Sequence, residues 1–198
     1  MKCRYCRKDA VYKCAACGQL LCPEHAQLRT VCLGHTKKIP LKYTVERISS
    51  DAERTTIRKL TRRFWGEENQ LTFDRKISVA RLPGYVAKLK GKVIGFVSAA
   101  YTDDAAIIVA LGVLPRYQGS GIGKRLIKKT EYDAVRRKKK KLLVSTSNDD
   151  LPALVFYQAL GFQLYEVKPN VIAEKHGKIL HGIGNLPIRD ELRFQKRL

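Results

Sequence analysis

Past residue 32 the chain contains no cysteine, and its 198 residues hold only 18 acids against 39 lysines and arginines. All six cysteines crowd into the first segment, with two of the four histidines beside them. So abrupt a change of composition marks a boundary between two units, placed at the basic, proline-containing stretch TKKIPLK at 36–42. The shortage of acids leaves a net charge of +21. Such an excess either attracts polyanions (nucleic acid, ribosomes, acidic membranes, phosphorylated cofactors) or serves solubility alone. No long apolar run is present. The longest, AAIIVALGVL at 105–114, is too short to cross a bilayer, and the opening MKCRYCRKDA lacks the apolar centre of a signal peptide. A soluble, cytoplasmic protein with no membrane partner is expected. There is no internal repeat, and RRKKKK at 136–141 is the only low-complexity stretch.

The first segment arranges its ligand-type residues as Cys3-x2-Cys6, Cys14-x2-Cys17, Cys22-x2-His25 and Cys32-x2-His35. A two-residue gap lets both side chains of a tight turn reach one ion, and four such pairs fill two tetrahedral zinc sites. Thiolate and imidazole suit zinc better than magnesium or calcium, which take oxygen. A disulfide framework would also use an even number of cysteines, but it would not need the histidines, and an iron–sulfur cluster would draw on one compact cysteine set. Chain order points to an interleaved pairing: Cys3, Cys6, Cys22 and His25 on one ion, Cys14, Cys17, Cys32 and His35 on the other. The stretch from 3 to 35 resembles the HIT-type and B-box cross-brace zinc fingers. It departs from the HIT pattern at His25 and at the closing Cys32-x2-His35, which leaves the pairing less fixed than the ligands. Metal binding would supply the folding free energy of so small a unit, on the order of 10 kcal/mol per ion. With four ligands each, neither ion keeps a position for substrate, so the zinc is structural. The resemblance implies a protein partner or, less often, nucleic acid.

Residues 43–198 read as alternating strand and helix, a mixed α/β domain after a 1–36 finger and a 37–42 linker. YTVERI at 43–48 reads as a strand. SSDAERTTIRKLTRRFWG follows as a helix capped by Ser50 or Asp51, with Ile57, Leu60, Phe64 and Trp65 at helical spacing. GYVAKLK and KVIGFVSAAYT flank a hairpin turn, and AAIIVALGV has the two-sided apolarity of a central strand. A helix over 121–137, the strand KLLVSTS, a helix in DDLPALVFYQALGF and the strands QLYEV and ELRFQKR complete the pattern.

Between the central strand and the next helix lies VLPRYQGSGIGKRLI, 113–127, with glycines at 119, 121 and 123. Bare backbone where a helix opens is a phosphate site, because N–H groups and the helix dipole converge there. A P-loop is excluded, since Arg125 stands at its hydroxyl position, and a dinucleotide fingerprint is excluded by Lys124 in place of the third glycine. The pattern that fits is Q-x-x-G-x-G, at Gln118, Gly121 and Gly123. With ALGVLPRYQGSGIGKRLIKK and LLVSTSNDDLPALVFYQALGF, it resembles the GNAT superfamily of N-acetyltransferases, from about residue 85 to 167 and more loosely from 43 to 198.

That resemblance implies the acyl-CoA N-acyltransferase fold and acetyl-CoA as co-substrate. The amides of Gly119, Ser120, Gly121, Ile122, Gly123 and Lys124 would hold its diphosphate, with Gln118 in the loop. Leu111, Gly112 and Val113 would pair with the pantetheine arm, one N–H polarising the thioester carbonyl, and Gly112 would bulge the strand away from its neighbour. Tyr157 would protonate the leaving thiolate, and Asn148 would cap the next helix or touch the pantetheine. The base for the amine is open: AAIIVALGV has no carboxylate, which leaves Glu67, Glu68, Asp103, Asp104, Asp190 and Glu191, with His176 and His181 near the acceptor mouth. The run 136–141 is a helix-end cap or a polyanion patch. The expected activity is acetyl transfer to a primary amine, on a protein recruited through the finger. The alternatives are a zinc-dependent nucleic-acid or ribosome adaptor without turnover, and an acetyltransferase of small amines.

Overall fold

A computed structural model of the chain describes residues 2–10, 12–13, 20–21, 42–182 and 185–198. Cys14, Cys17, Cys22, His25, Cys32 and His35 lie outside these residues, as does most of the 37–42 linker. Near the N-terminus the chain turns tightly around the first cysteine pair. Cys3 N–H donates to the Lys8 carbonyl at 2.8 Å and Arg7 N–H to the Cys3 carbonyl at 3.2 Å, while Lys2 bridges Asp9. Strands β1 (Tyr12–Lys13) and β2 (Leu20–Leu21) pair antiparallel beyond it.

The remaining elements follow in the order β3 (Thr44–Arg47), α1 (Asp51–Trp65), β4 (Asn69–Thr72), β5 (Arg75–Ser78), β6 (Gly84–Leu89), β7 (Lys92–Tyr101), β8 (Ala105–Val113), α2 (Ile122–Arg136), β9 (Lys141–Ser147), α3 (Leu151–Gln158), β10 (Gln163–Lys168), α4 (Val171–His176), β11 (Leu180–His181), β12 (Pro187–Ile188) and β13 (Glu191–Arg197). Seven of these strands form one sheet in the order β10-β13-β9-β8-β7-β6-β3. Only β8 and β9 run parallel, as a strand–helix–strand crossover requires. Local chemistry explains the boundaries. Ser50 and Glu53 make a capping box at the start of α1, so Ser50 rather than Asp51 is the cap. Lys90 and Gly91 both have positive φ, 48° and 75°, the twist a two-residue hairpin demands between β6 and β7.

Alternation along the strands divides the core between the two faces. Tyr85, Ala87 and Val97 pack with Ile122, Leu126 and Ile127 of α2, joined out of step by Ile94, the extra residue where the β6–β7 register shifts, while Val86 and Phe96 pack with Ile57 and Leu60 of α1. In β8 the alternation breaks: Ile107, Val109 and Ala110 all join the α1 side. The register gives the cause. Ser98 faces Ala110 and Ala99 faces Ile108, which leaves Val109 as an extra, bulged residue. The bulge is therefore at Val109 and not at Gly112, which sits opposite Phe96 in regular register. Gly112 is bare for another reason, since a Cβ there would come within 2.6 Å of the Phe64 ring. Beyond this point β8 and β9 part. Their pairing runs from Ala105–Lys141 to Ile108–Val144 and stops, so the C-terminal halves open into a wedge.

Candidate active site

The wedge continues into a cavity of about 1060 Å³. One end is formed by residues 118–124, the middle by β8, β9 and α3, and the far end by the end of α1, β4, α4 and Glu191.

At the first end Gln118 straps the loop to its strand, its side-chain N–H donating to the Val113 carbonyl at 3.1 Å. Gly119 and Gly121 adopt left-handed backbone, φ 80° and 79°, and a Cβ on either would meet nothing within 4 Å. Glycine is needed at both for conformation rather than space. Gly123 differs, because its Cβ would press the Phe156 ring at 3.1 Å. Gly121 offers α2 no side-chain cap, and no acid lies in the first turn. The opening N–H groups of α2, which have no partner within the helix, are thus left for an anion.

In the middle, Tyr157 packs against Phe156, Phe162 and Phe194 at ring separations of 5.2, 5.5 and 6.3 Å. It lines the cavity while only 7 % exposed. Burial, and then the nearby Asp150 carboxylate, push its phenol well above the ordinary value of 10.0. Burial likewise raises Asp150, against the opposing pull of the Ala153 N–H and the Thr146 hydroxyl. Asp150 is also the N-cap of α3. The expectation that Asn148 caps this helix is therefore corrected. Asn148 instead accepts N–H groups of Arg189 and Asp190, both at 2.9 Å, and donates to the Pro187 carbonyl at 2.7 Å. It ties the end of β9 to the approach to β13 and is not on the cavity wall, and nor is Gly112. Leu111, Val113, Gln118 and the run Gly119 to Lys124 all are.

The carboxylates separate sharply. Asp103 and Asp104 lie in the β7–β8 turn, away from the wall, where Asp104 pairs with Lys141 at 3.1 Å. Asp190 accepts the Asn170 N–H, and Glu68 pairs with Arg62 at 2.9 Å; neither lines the cavity. Glu67 and Glu191 do line it. Glu67 is ion-paired to Lys175 of α4. Glu191, 4 % exposed, accepts the Phe73 N–H at 3.2 Å and the Arg193 Nε–H at 2.9 Å, and the Arg193 Nη2 lies 2.8 Å from it as an ion pair. Arg193, itself 5 % exposed, also holds Asp74 and Glu166 and lies over the Phe73 ring. A hydrogen bond of 2.8 Å joins the hydroxyls of Thr72 and Ser145. The β4–β5 hairpin is so lashed to β9 and β13 across the cleft. His176 is on the wall and His181 is not.

Sequence reasoning missed this hairpin, the Arg193 cluster and Lys175. The hairpin turns at Phe73 and Asp74, both with positive φ, and that turn holds no glycine or asparagine to announce it. Among the described residues no three metal-ligating side chains cluster, only two of the eight expected zinc ligands being there. Nor is any described helix long and apolar enough to cross a membrane.

A parallel strand pair splayed beside a bulge, with a glycine-lined helix start at one end of the cleft, defines an acyl-CoA-dependent transferase. Residues 50–162 match the family model described as acetyltransferase (GNAT) family; the chain belongs to that family and is an acetyl-CoA-dependent N-acyltransferase. Uncharacterized protein YxbD of Bacillus subtilis (strain 168) is 28% identical over 142 residues, which span 69% of this chain and 87% of that relative. Two solved structures share the fold. The IAA acetyltransferase from Bacillus cereus ATCC 14579 has 24% identity and a TM-score of 0.63 over 79% of this chain and 100% of its own. Arabidopsis thaliana Naa50 in complex with the bisubstrate analogue CoA-Ac-MVNAL has 16% identity and a TM-score of 0.62 over 80% of this chain and 100% of its own.

Proposed function

We propose that the chain transfers the acetyl group of acetyl-CoA to a primary amine on a protein, and that residues 1–36 form a double-zinc finger that recruits the acceptor or its carrier. The observation that carries the first part is one continuous cavity. It joins the bare amides of the glycine turn, a buried tyrosine and an open end lined by carboxylates. The backbone of Gly119 to Lys124 binds the diphosphate, assisted by the Ser120 hydroxyl and the Lys124 ammonium. Backbone groups of Leu111 and Val113, which line the cavity where β8 has left β9, pair with the pantetheine arm. An N–H of that strand polarises the thioester carbonyl. The neutral amine attacks the carbonyl carbon, the C–N bond forms and the C–S bond breaks. Sulfur leaves as thiolate and takes the Tyr157 proton, while the acylated nitrogen sheds its surplus proton to water, through which the phenol is restored. A phenol held protonated by burial is suited to that role. Naa50, whose fold this chain shares, was solved with a CoA–peptide analogue, which supports a peptide amine as the acceptor.

The described part of the finger suits zinc. Tyr5 N–H lies 3.5 Å from the Cys3 sulfur, and Arg7 takes a positive φ of 60° just after Cys6, the tight turn that two thiols need to face one ion. Cys3, Cys6, Cys14, Cys17, Cys22, His25, Cys32 and His35 would hold two closed zinc sites that fold the unit and take no part in the chemistry. The reading is tested by thiol release from acetyl-CoA over a panel of peptide N-termini, lysine peptides and small amines. Turnover on peptides, lost in Tyr157→Phe, supports it; turnover confined to small amines refutes the protein acceptor.

A further inference from the structure

On the described wall of the cavity there are two lysines, Lys124 at the glycine turn and Lys175 at the far end. Lys124 serves the phosphates. Lys175 has no such duty. Its side chain is 22 % exposed, and its ammonium is drawn across the mouth onto Glu67, itself 31 % exposed, from a chain position 108 residues away. It stands on α4, a helix of six residues held by hydrogen bonds from Ile172 and Ala173 to the Arg189 carbonyl. A primary amine on a flexible four-carbon stem thus already occupies the end of the cavity where an acceptor amine would enter.

Resting on the function proposed above, we infer that Lys175 is an acetylation site of the enzyme itself, modified within one molecule by its own bound acetyl-CoA, with Glu67 positioning the amine. The ammonium of Lys175 first gives a proton to Glu67 or to water. The free Nζ then attacks the thioester carbon, the C–N bond forms, the C–S bond breaks, the departing thiolate takes the Tyr157 proton, and the second proton shed by the acetylated nitrogen returns through water to the phenolate. No further reactant is needed. Tethering replaces a bimolecular encounter, so Lys175 competes favourably with every lysine on the outer surface. Acetylation removes its charge and dissolves the ion pair, which leaves the Glu67 carboxylate without its Lys175 partner.

The test needs no knowledge of the natural acceptor. Full-length protein is incubated with acetyl-CoA alone, and acetylation of each lysine is followed by peptide mass spectrometry. Lys175 is expected to be modified at least about tenfold faster than Lys138, an exposed lysine outside the cavity, at a rate per molecule independent of protein concentration. The excess is expected to fall about tenfold or more in Tyr157→Phe and in Glu67→Gln, while Lys138 is unaffected. Equal rates at the two lysines, equal rates in wild type and Tyr157→Phe, or a rate that grows with protein concentration would each overturn the inference. Peptide turnover measured on the same preparations separates the two readings. Peptides acetylated while Lys175 stays bare sink the self-modification alone, whereas no transfer to any amine sinks the enzyme assignment with it.

Discussion

Replacing Tyr157 by phenylalanine removes one hydroxyl from a ring that Phe156, Phe162 and Phe194 already hold in place. Packing should survive, and kcat should fall by about 10- to 100-fold with little change in acetyl-CoA affinity. Because burial raises this phenol above 10.0, it stays protonated through the alkaline range. The kcat profile of the wild type is therefore expected to show no loss of the acid below that pH, and a limb descending near neutrality would remove Tyr157 from the role. A second residue links charge to stability. Burial alone would raise Glu53, but Lys88 and the N–H groups of Ser49 and Ser50 outweigh it and hold the carboxyl at about 2, against an ordinary 4.5. A depressed carboxyl stabilises the fold above its unfolded value and loses that contribution as pH falls from near 4.5 toward 2. Glu53→Gln should thus cost about 1–2 kcal/mol at neutral pH, from the capping box and the buried pair together, and flatten acid denaturation in that window. Denaturant melts at pH 7 and pH 3 check both signs.

Among the elements, the β4–β5 hairpin depends on Arg193. Arg193→Met leaves Glu191 buried beside a lost partner, which costs about 3–5 kcal/mol. Asp74→Ala, at a carboxylate 61 % exposed, should cost less than about 1 kcal/mol. Equal losses in the two melts would mean that the cluster does not anchor the hairpin. This hairpin was also the element least legible in the sequence, since register against β9 and β13 and not local turn chemistry sets it. By contrast α1, α2 and the β6–β7 turn carry their own signals, a capping box, an apolar stripe and a Lys-Gly turn, and they form where those signals lie. The α3 cap shows where local reading stops. Asn148, Asp149 and Asp150 can each cap a helix, and the choice falls to Asp150 because contacts with residues 187–190 occupy Asn148. The bulge at Val109 is hidden in the same way. Gly112 advertises flexibility, yet the extra residue is a valine whose sequence neighbours are all apolar. At the glycine turn, sequence and conformation agree. Gly121→Ala keeps its space but must hold a φ of 79°, costing about 1–2 kcal/mol of strain in the loop, so acetyl-CoA affinity should drop about tenfold by calorimetry.

For the molecule as a whole, composition alone proposes a boundary near residue 36, because cysteine is confined to one side of it, and that stretch lies outside the described residues. Metal analysis of purified protein should return two zinc ions per chain, and a chelator should unfold the finger while acetyl-CoA binding to residues 43–198 persists. Absence of bound metal after purification under reducing conditions would contradict the finger. The acceptor end was much less legible, being assembled from Glu67, Lys175, His176 and Glu191, which the chain brings together from three distant segments. The central claim concerns the other end, where the backbone of residues 119–124 grips coenzyme A. Amide resonances of a nitrogen-labelled sample titrated with CoA test it most directly. Gly119, Gly121 and Gly123 should shift strongly and saturably while Gly91, at the β6–β7 turn, stays still; glycine-turn resonances unmoved at millimolar CoA would contradict it.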